Sequence, residues 1–118
     1  MKKILLLIFT AVTLGASAQS LVTSNATLVV NGSLADWVLV ANVTVTNQSN
    51  NALDVLCQRT SNILAPGQTS SFCWGTQCYG DSTNISTTPA NIAAGGYSNS
   101  FIGDLHVNSS LGTSYVTY

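Results

Sequence analysis

Charged side chains are scarce in this sequence, and their scarcity excludes several kinds of partner. The 118 residues include four aspartates, no glutamate and three basic residues, Lys2, Lys3 and Arg59. A nucleic-acid-binding protein needs several lysines or arginines to replace phosphate counterions, and electrostatic docking on anionic lipid needs a cluster of them. We therefore predict that the chain binds neither nucleic acid nor an anionic membrane surface.

The side chains that metal and catalytic sites require are also few. His106 is the only histidine and Met1 the only methionine, whereas a blue-copper site on a β-sandwich takes two histidines, a cysteine and usually a methionine. A catalytic triad would have to use His106 as its base. Asp104 shares the predicted strand face of His106 with serines such as Ser98 or Ser100, a grouping that we attribute to coincidence on an exposed strand. We predict no enzyme activity, no metal and no cofactor.

One long apolar run is present, and it lies at the N-terminus. Residues 4–14 follow Lys2 and Lys3 and precede the small residues 16–18, the pattern of a secretory signal peptide with its cleavage site. A membrane-spanning helix needs roughly 20 apolar residues, which this run does not reach. We predict a signal peptide over residues 1–18, one domain over residues 19–118, no membrane insertion after cleavage, and a secreted or cell-surface location.

Apolar and polar residues alternate along the rest of the chain, as in half-buried β-strands. This alternation predicts strands over residues 37–46, 52–59, 68–74 and 97–107, with short strands at residues 28–30 and 112–118. The predicted inward-facing residues are Trp37, Leu39, Ala41, Val43, Val45, Leu53, Val55, Cys57, Phe72, Trp74, Phe101, Leu105 and Val107. Six or seven short strands without a helical period predict an all-β fold, an antiparallel immunoglobulin-like β-sandwich.

Residues 72–79 contain two of the three cysteines and three of the nine aromatic residues. Three thiols in an oxidising compartment leave one unpaired. Cys57 faces inward, whereas Cys73 lies opposite Phe72 and Trp74, and residues paired directly across two strands share a face. We favour a Cys73–Cys78 disulfide with Cys57 as a buried thiol, and the pairings Cys57–Cys78 and Cys57–Cys73 stay open.

Two aromatic residues of this segment are the candidate ligand contacts. A Cys73–Cys78 bridge would hold the rings of Trp74 and Tyr79 in a fixed relation at one end of the sandwich. There they would either cap the core or form an aromatic platform for a sugar or a peptide.

The C-terminal strand is a candidate for self-association. It carries Tyr115, Val116 and Tyr118, with no following partner strand and no charge to protect its edge. Such an edge can accept or donate a strand between chains.

Several short motifs resemble one known family. The motifs are Asn47-Gln48-Ser49, Leu64-Ala65-Pro66-Gly67, Phe72-Cys73-Trp74-Gly75 with Cys78-Tyr79, Ile92 before Ala94-Gly95, Phe101-Ile102-Gly103-Asp104, and Gly112-Thr113-Ser114 before Tyr118. They resemble small secreted immunoglobulin-like domains of Bacteroidota, which are commonly followed by a type IX secretion sorting domain. The resemblance implies export and an immunoglobulin-like fold. Because such domains usually continue for another strand or two, it also implies a sandwich that lacks its last strand here.

These observations predict a secreted or cell-surface, non-catalytic immunoglobulin-like module. We expect it to bind an extracellular protein or glycan through the loops near Trp74 and Tyr79. The alternative is a structural or assembly domain that interacts through its sheet edges, or a passenger fragment of a longer secreted protein.

Overall fold

The computed structural model describes residues 20–118, so the predicted signal peptide lies outside the described residues. Within this range the chain forms nine β-strands and no helix. The strands are β1 (Leu21–Thr23), β2 (Val38–Asn47), β3 (Leu53–Val55), β4 (Ser61–Ile63), β5 (Thr69–Trp74), β6 (Gln77–Tyr79), β7 (Ala90–Ile92), β8 (Tyr97–His106) and β9 (Tyr115–Thr117). All of them pair antiparallel. The predicted all-β, antiparallel fold is therefore confirmed.

One large sheet forms the first layer of the molecule. It has five strands in the order β1-β2-β8-β5-β6. Its two long central strands, β2 and β8, pair from Val38 opposite His106 to Thr46 opposite Tyr97, with a register shift between Val43 and Val45. The alternation along β2 places Leu39, Ala41, Val43 and Val45 on the inner face and Val38 and Val40 on the outer face, because successive side chains of a strand point to opposite sides.

Two small sheets, β3-β7 and β4-β9, form the second layer. The buried core cluster consists of Phe72, Trp74, Tyr79, Ile92 and Phe101, and the β3-β7 sheet contributes Ile92 to it and packs Val55 and Ala90 against it. Phe72 is 0 % exposed and Trp74 is 2 % exposed, as their predicted inward orientation requires. The ring of Tyr118 completes this packing, with its centroid 5.4 Å from that of Phe72 and 4.8 Å from that of Phe101.

The hairpin of β5 and β6 carries the disulfide. Cys73 pairs directly with Cys78 across the two strands and is bonded to it. The connecting residues are Gly75 and Thr76, and Gly75 has a φ of 63°. A two-residue hairpin loop with glycine at its first central position is typical of a type II′ turn. The favoured Cys73–Cys78 pairing is confirmed, and Cys57 is the free thiol.

Arg59 is buried in the core, at 3 % exposure. Its Nε donates to Asn84 Oδ1 at 3.1 Å, and its Nη1 to the carbonyl and hydroxyl oxygens of Ser70 at 3.0 and 2.8 Å. Its Nη2 donates to the carbonyl of Thr83 at 2.9 Å and to the carbonyl of Asp81. The guanidinium also lies over the ring of Phe72. These neutral oxygens accept all five guanidinium N–H groups, so the side chain fastens residues 81–84 to β5.

Asn47, at the end of β2, is a second buried polar anchor, with no exposed surface. Its Nδ2 donates to the carbonyl oxygens of Asn51, Ile92 and Ala93 at 2.8, 3.0 and 3.1 Å. Its Oδ1 accepts from the backbone N–H of Ser49 at 2.9 Å. The side chain thereby joins the turn after β2 to the end of β7.

Two sequence predictions about strands are wrong. Residues 28–30 form no strand, and Leu21–Thr23 pairs with the edge of β2 instead. Trp37 is 82 % exposed, because it precedes the first residue pair of β2 and β8 and the second layer does not cover that end of the sheet. β4, β6 and β7 were not predicted separately, since strands of three residues are too short to show a clear alternation.

Candidate binding cleft

The two predicted ligand contacts are buried. Trp74 and Tyr79 are 2 % and 6 % exposed. The indole N–H of Trp74 donates to the carbonyl of Val55 at 2.7 Å, and the Tyr79 ring stacks on Phe72 at 5.1 Å. Of the two alternatives for these rings, the structure shows that they cap the core, and of the two only Trp74 also lines the apolar cleft between the layers.

The hydroxyl of Tyr79 is engaged as well. It accepts from the backbone N–H groups of Thr87 and Thr88, both at 3.1 Å. Burial alone would raise the pKa of Tyr79, but these hydrogen bonds outweigh it and hold the pKa below its usual value. Tyr79 thus fixes the loop before β7 to the β5-β6 hairpin.

The predicted edge residues of the C-terminal strand are only partly available. β9 pairs with β4, with Tyr115 opposite Ile63 and Val116 opposite Asn62, so one edge of this strand is occupied. Its other edge pairs with none of the strands of residues 20–118, and self-association through it stays a prediction. Tyr118 packs against the core, and this burial raises the pKa of its hydroxyl. Of the three residues, Tyr115 is the most exposed, at 65 %.

An open apolar cleft lies between the two layers, with a volume of about 650 Å³. Its floor is the inner face of the large sheet, formed by Leu39, Ala41, Val43, Val45, Phe101, Gly103 and Leu105. The inward residues of β2 are only half-buried, whereas Phe72 on β5 is completely buried. The second layer therefore covers the β5-β6 half of the sheet and leaves the β2 half accessible.

The two rims of the cleft have different structures. One rim belongs to residues 25–30, which form no regular strand. The other rim consists of residues 55–58 and of residues 114–118, which include β9. The lining residues include no basic residue and one acidic residue, Asp104, whose side chain the alternation along β8 directs to the outer face of the sheet. The cleft is therefore suited to an uncharged, apolar ligand.

An unpaired backbone edge borders this cleft. The carbonyl of Cys57 accepts from Ser86 N at 2.8 Å, and the N–H of Arg59 donates to Asn84 O at 2.7 Å, both toward the segment of residues 84–86 that precedes β7. The N–H of Thr60 points the other way and donates to Thr117 O at 2.8 Å. Peptide groups alternate in direction along an extended chain.

The backbone groups of Leu56 and Gln58 consequently point to the same side as that of Thr60, toward the cleft. Within residues 20–118 neither residue takes part in a backbone hydrogen bond. Both side chains are exposed, Leu56 at 49 %. This edge, residues 56–58, is called the free edge below.

Cys57 lies in the free edge and lines the cleft. Burial raises the pKa of its thiol to about 11, so the thiol is protonated and a poor nucleophile at neutral pH.

The serines that the sequence places on the predicted face of His106 make their hydrogen bonds elsewhere. The hydroxyls of Ser98 and Ser100 lie 2.7 Å apart and bond to each other, whereas the neighbour of His106 is Ser71, 3.2 Å from its Nε2. Sequence reasoning missed Ser71 because its contact with His106 depends on the register of β5 and β8. Asp104 is the cross-strand partner of Ser71, and all three lie on the outer face of the large sheet.

Three further findings concern the environment of the site and its relatives. Among residues 20–118, no helix has the length and apolar character needed to cross a bilayer. No group of three or more His, Cys, Asp or Glu side chains in that range is placed to hold a metal ion. Comparisons with protein-family models, curated proteins and solved structures gave no match.

Proposed function

We propose that the mature chain is a non-catalytic, exported immunoglobulin-like module that binds its ligand in the apolar cleft. The observation that carries this proposal is the cleft itself, about 650 Å³ of apolar space between the layers. Domains usually bury the inner face of a sheet, and an accessible apolar surface of this kind typically marks a binding site.

Export is supported by two features. The cross-strand Cys73–Cys78 disulfide is of a type that persists in oxidising compartments outside the cytosol. The N-terminal sequence has the pattern of a signal peptide. Both features support a secreted or cell-surface location, and the antiparallel two-layer architecture is compatible with the immunoglobulin-like topology that the motifs resemble.

One observation favours the second candidate, an assembly domain that pairs through a sheet edge. The backbone groups of Leu56 and Gln58 are unpaired at the rim of the cleft. This function differs from ligand binding because the edge would join copies of the chain to each other and the cleft would hold no separate ligand.

A neutral apolar dye tests the proposed function. We expect 1-N-phenylnaphthylamine to become fluorescent in the presence of the folded chain of residues 19–118, because the cleft excludes water from the dye. The variant Ala41→Phe fills the floor of the cleft and should abolish the signal. Val40→Phe is the matched control, since Val40 is the next residue along β2 and lies on the outer face at 42 % exposure.

The outcomes of this experiment are distinct. Fluorescence that persists in Val40→Phe and disappears in Ala41→Phe supports binding in the cleft. No fluorescence with the wild-type chain, or equal fluorescence in both variants, contradicts it.

A further inference from the structure

We infer that the cleft is a strand-accepting groove, whose occupant is an extended, uncharged segment of another polypeptide chain with apolar residues at every second position. This inference deepens the proposed function and rests on it, because it names the class of ligand.

The backbone of the rim supplies the first argument. Edge N–H and C=O groups that have no partner are a template for pairing with another strand. Leu56 and Gln58 present such groups along the free edge. A ligand without a peptide backbone would cover this rim and leave the N–H and C=O groups of Leu56 and Gln58 without hydrogen-bond partners.

The existing β4-β9 ladder supplies the second argument. Thr60 already bonds to Thr117 on the same edge to which Leu56 and Gln58 point. An antiparallel strand placed beside residues 56–58 would therefore lie in line with β9 and extend an interface that the fold has already established. Five residues of such a strand span roughly 17 Å.

The side chains of the rim and floor determine which residues a bound strand can carry at alternate positions. Residues paired across two strands share a face. Beside Val55 and Cys57, which line the cleft, the occupant would direct its side chains onto the apolar floor. Beside Leu56 and Gln58 its side chains would point to solvent. Apolar residues alternating with small polar ones satisfy both conditions, and the near absence of charge in the lining excludes charged residues from the inward positions.

A synthetic peptide, acetyl-Ser-Val-Thr-Val-Asn-Val-Ser-amide, tests the inference on the folded chain of residues 19–118. Binding is followed by the rate at which iodoacetamide alkylates Cys57 and by amide hydrogen exchange of Leu56 and Gln58. We expect the peptide to slow both processes, and Ala41→Phe to weaken binding by about tenfold or more while Val40→Phe does not.

Backbone N-methylation provides the matched control. The outward-facing residues of the peptide would exchange hydrogen bonds with Leu56 and Gln58, so N-methylation of its Thr and Asn should abolish binding. N-methylation of the central valine leaves these bonds intact and should preserve binding.

Each other outcome overturns the inference. Equal binding of both N-methylated peptides, or binding of 1-N-phenylnaphthylamine without binding of any peptide, would leave the proposed function standing and refute strand pairing. Failure of the dye and of all peptides would refute both. A dimeric chain whose Cys57 is already protected without peptide would show that a second copy occupies the cleft.

Discussion

Replacing Arg59 should destabilise the domain more than any exposed substitution. In Arg59→Met the five guanidinium hydrogen bonds are lost, and the carbonyl oxygens of Ser70, Asp81 and Thr83 lose their donors. A buried acceptor without a partner costs about 1–3 kcal/mol. The desolvation cost of burying the charge, which Met does not incur, offsets part of the loss.

The net loss in the free energy of unfolding is therefore about 3–5 kcal/mol. The carbonyls of Asp81 and Thr83 are only part-buried, so that loop can swing out to water, which favours the lower end of this range. Arg59→Lys should lose roughly half as much, because an ammonium has three donors on one atom in place of a five-donor fork.

Urea unfolding of the folded chain measures both variants. With an m-value of about 1.5 kcal/mol/M, Arg59→Met should lower the midpoint by about 2–3 M. Gln48→Met is the control, since it also replaces a long polar side chain with Met but at an exposed site. If Arg59→Met unfolds within about 0.5 M of the control, the buried guanidinium does not contribute the stability assigned to it.

Three further variants address other parts of the fold. Asn47→Asp places a carboxylate against three carbonyl oxygens and should lower the free energy of unfolding by about 3 kcal/mol or more at pH 7. Asn50→Asp is the control, because Asn50 is exposed and its replacement should change the stability little. Equal urea midpoints of the two variants would contradict the role of Asn47. Burial raises the pKa of Cys57 from 9.0 to about 11, so the folded state holds the thiol proton more tightly than the unfolded state. The resulting stabilisation is complete below about pH 9 and is lost as the pH rises through 11. Between these pH values the free energy of unfolding should therefore fall more in the wild type than in Cys57→Ala. A difference between the two proteins that does not change with pH would contradict the raised pKa of Cys57. Replacing Cys73 and Cys78 with alanine should lower the free energy of unfolding by only about 2 kcal/mol, because the loop that the disulfide closes is short. A double variant whose circular dichroism spectrum no longer shows a β fold would contradict so small a contribution.

Local alternation accounts for what could be predicted from the sequence. The period of two along residues 68–74 places Phe72 and Trp74 inward and Cys73 outward, and this parity alone favours the Cys73–Cys78 bridge that the structure contains. The same symmetry pairs Phe72 with Tyr79. Because Phe72 is inward, this pairing also favours the core-capping alternative for the ring of Tyr79, which the structure shows.

The alternation of residues 53–59 also indicates, in part, the buried position of Arg59. It continues the odd-numbered, inward series of Leu53, Val55 and Cys57, although its charge made an exposed position the simpler expectation. The oxygens that satisfy it come from β5 and from residues 81–84, and no local pattern predicts that these segments meet.

The cleft could not be predicted from the sequence. Alternation identifies which residues of β2 face inward, but it does not say how much of that face the second layer covers. That coverage depends on the pairing of β4 with β9 and of β3 with β7, which are contacts between segments distant in sequence.

Amide hydrogen exchange at residues 56–59 tests the central claim, a free backbone edge beside the cleft, most directly. The N–H groups of Cys57 and Arg59 are hydrogen-bonded, to Ser86 Oγ at 2.9 Å and to Asn84 O at 2.7 Å, whereas those of Leu56 and Gln58 point toward the cleft. We predict slow exchange at Cys57 and Arg59 and fast exchange at Leu56 and Gln58 in the unliganded chain. Equal protection of all four amides would contradict the free edge and, with it, the strand-accepting groove.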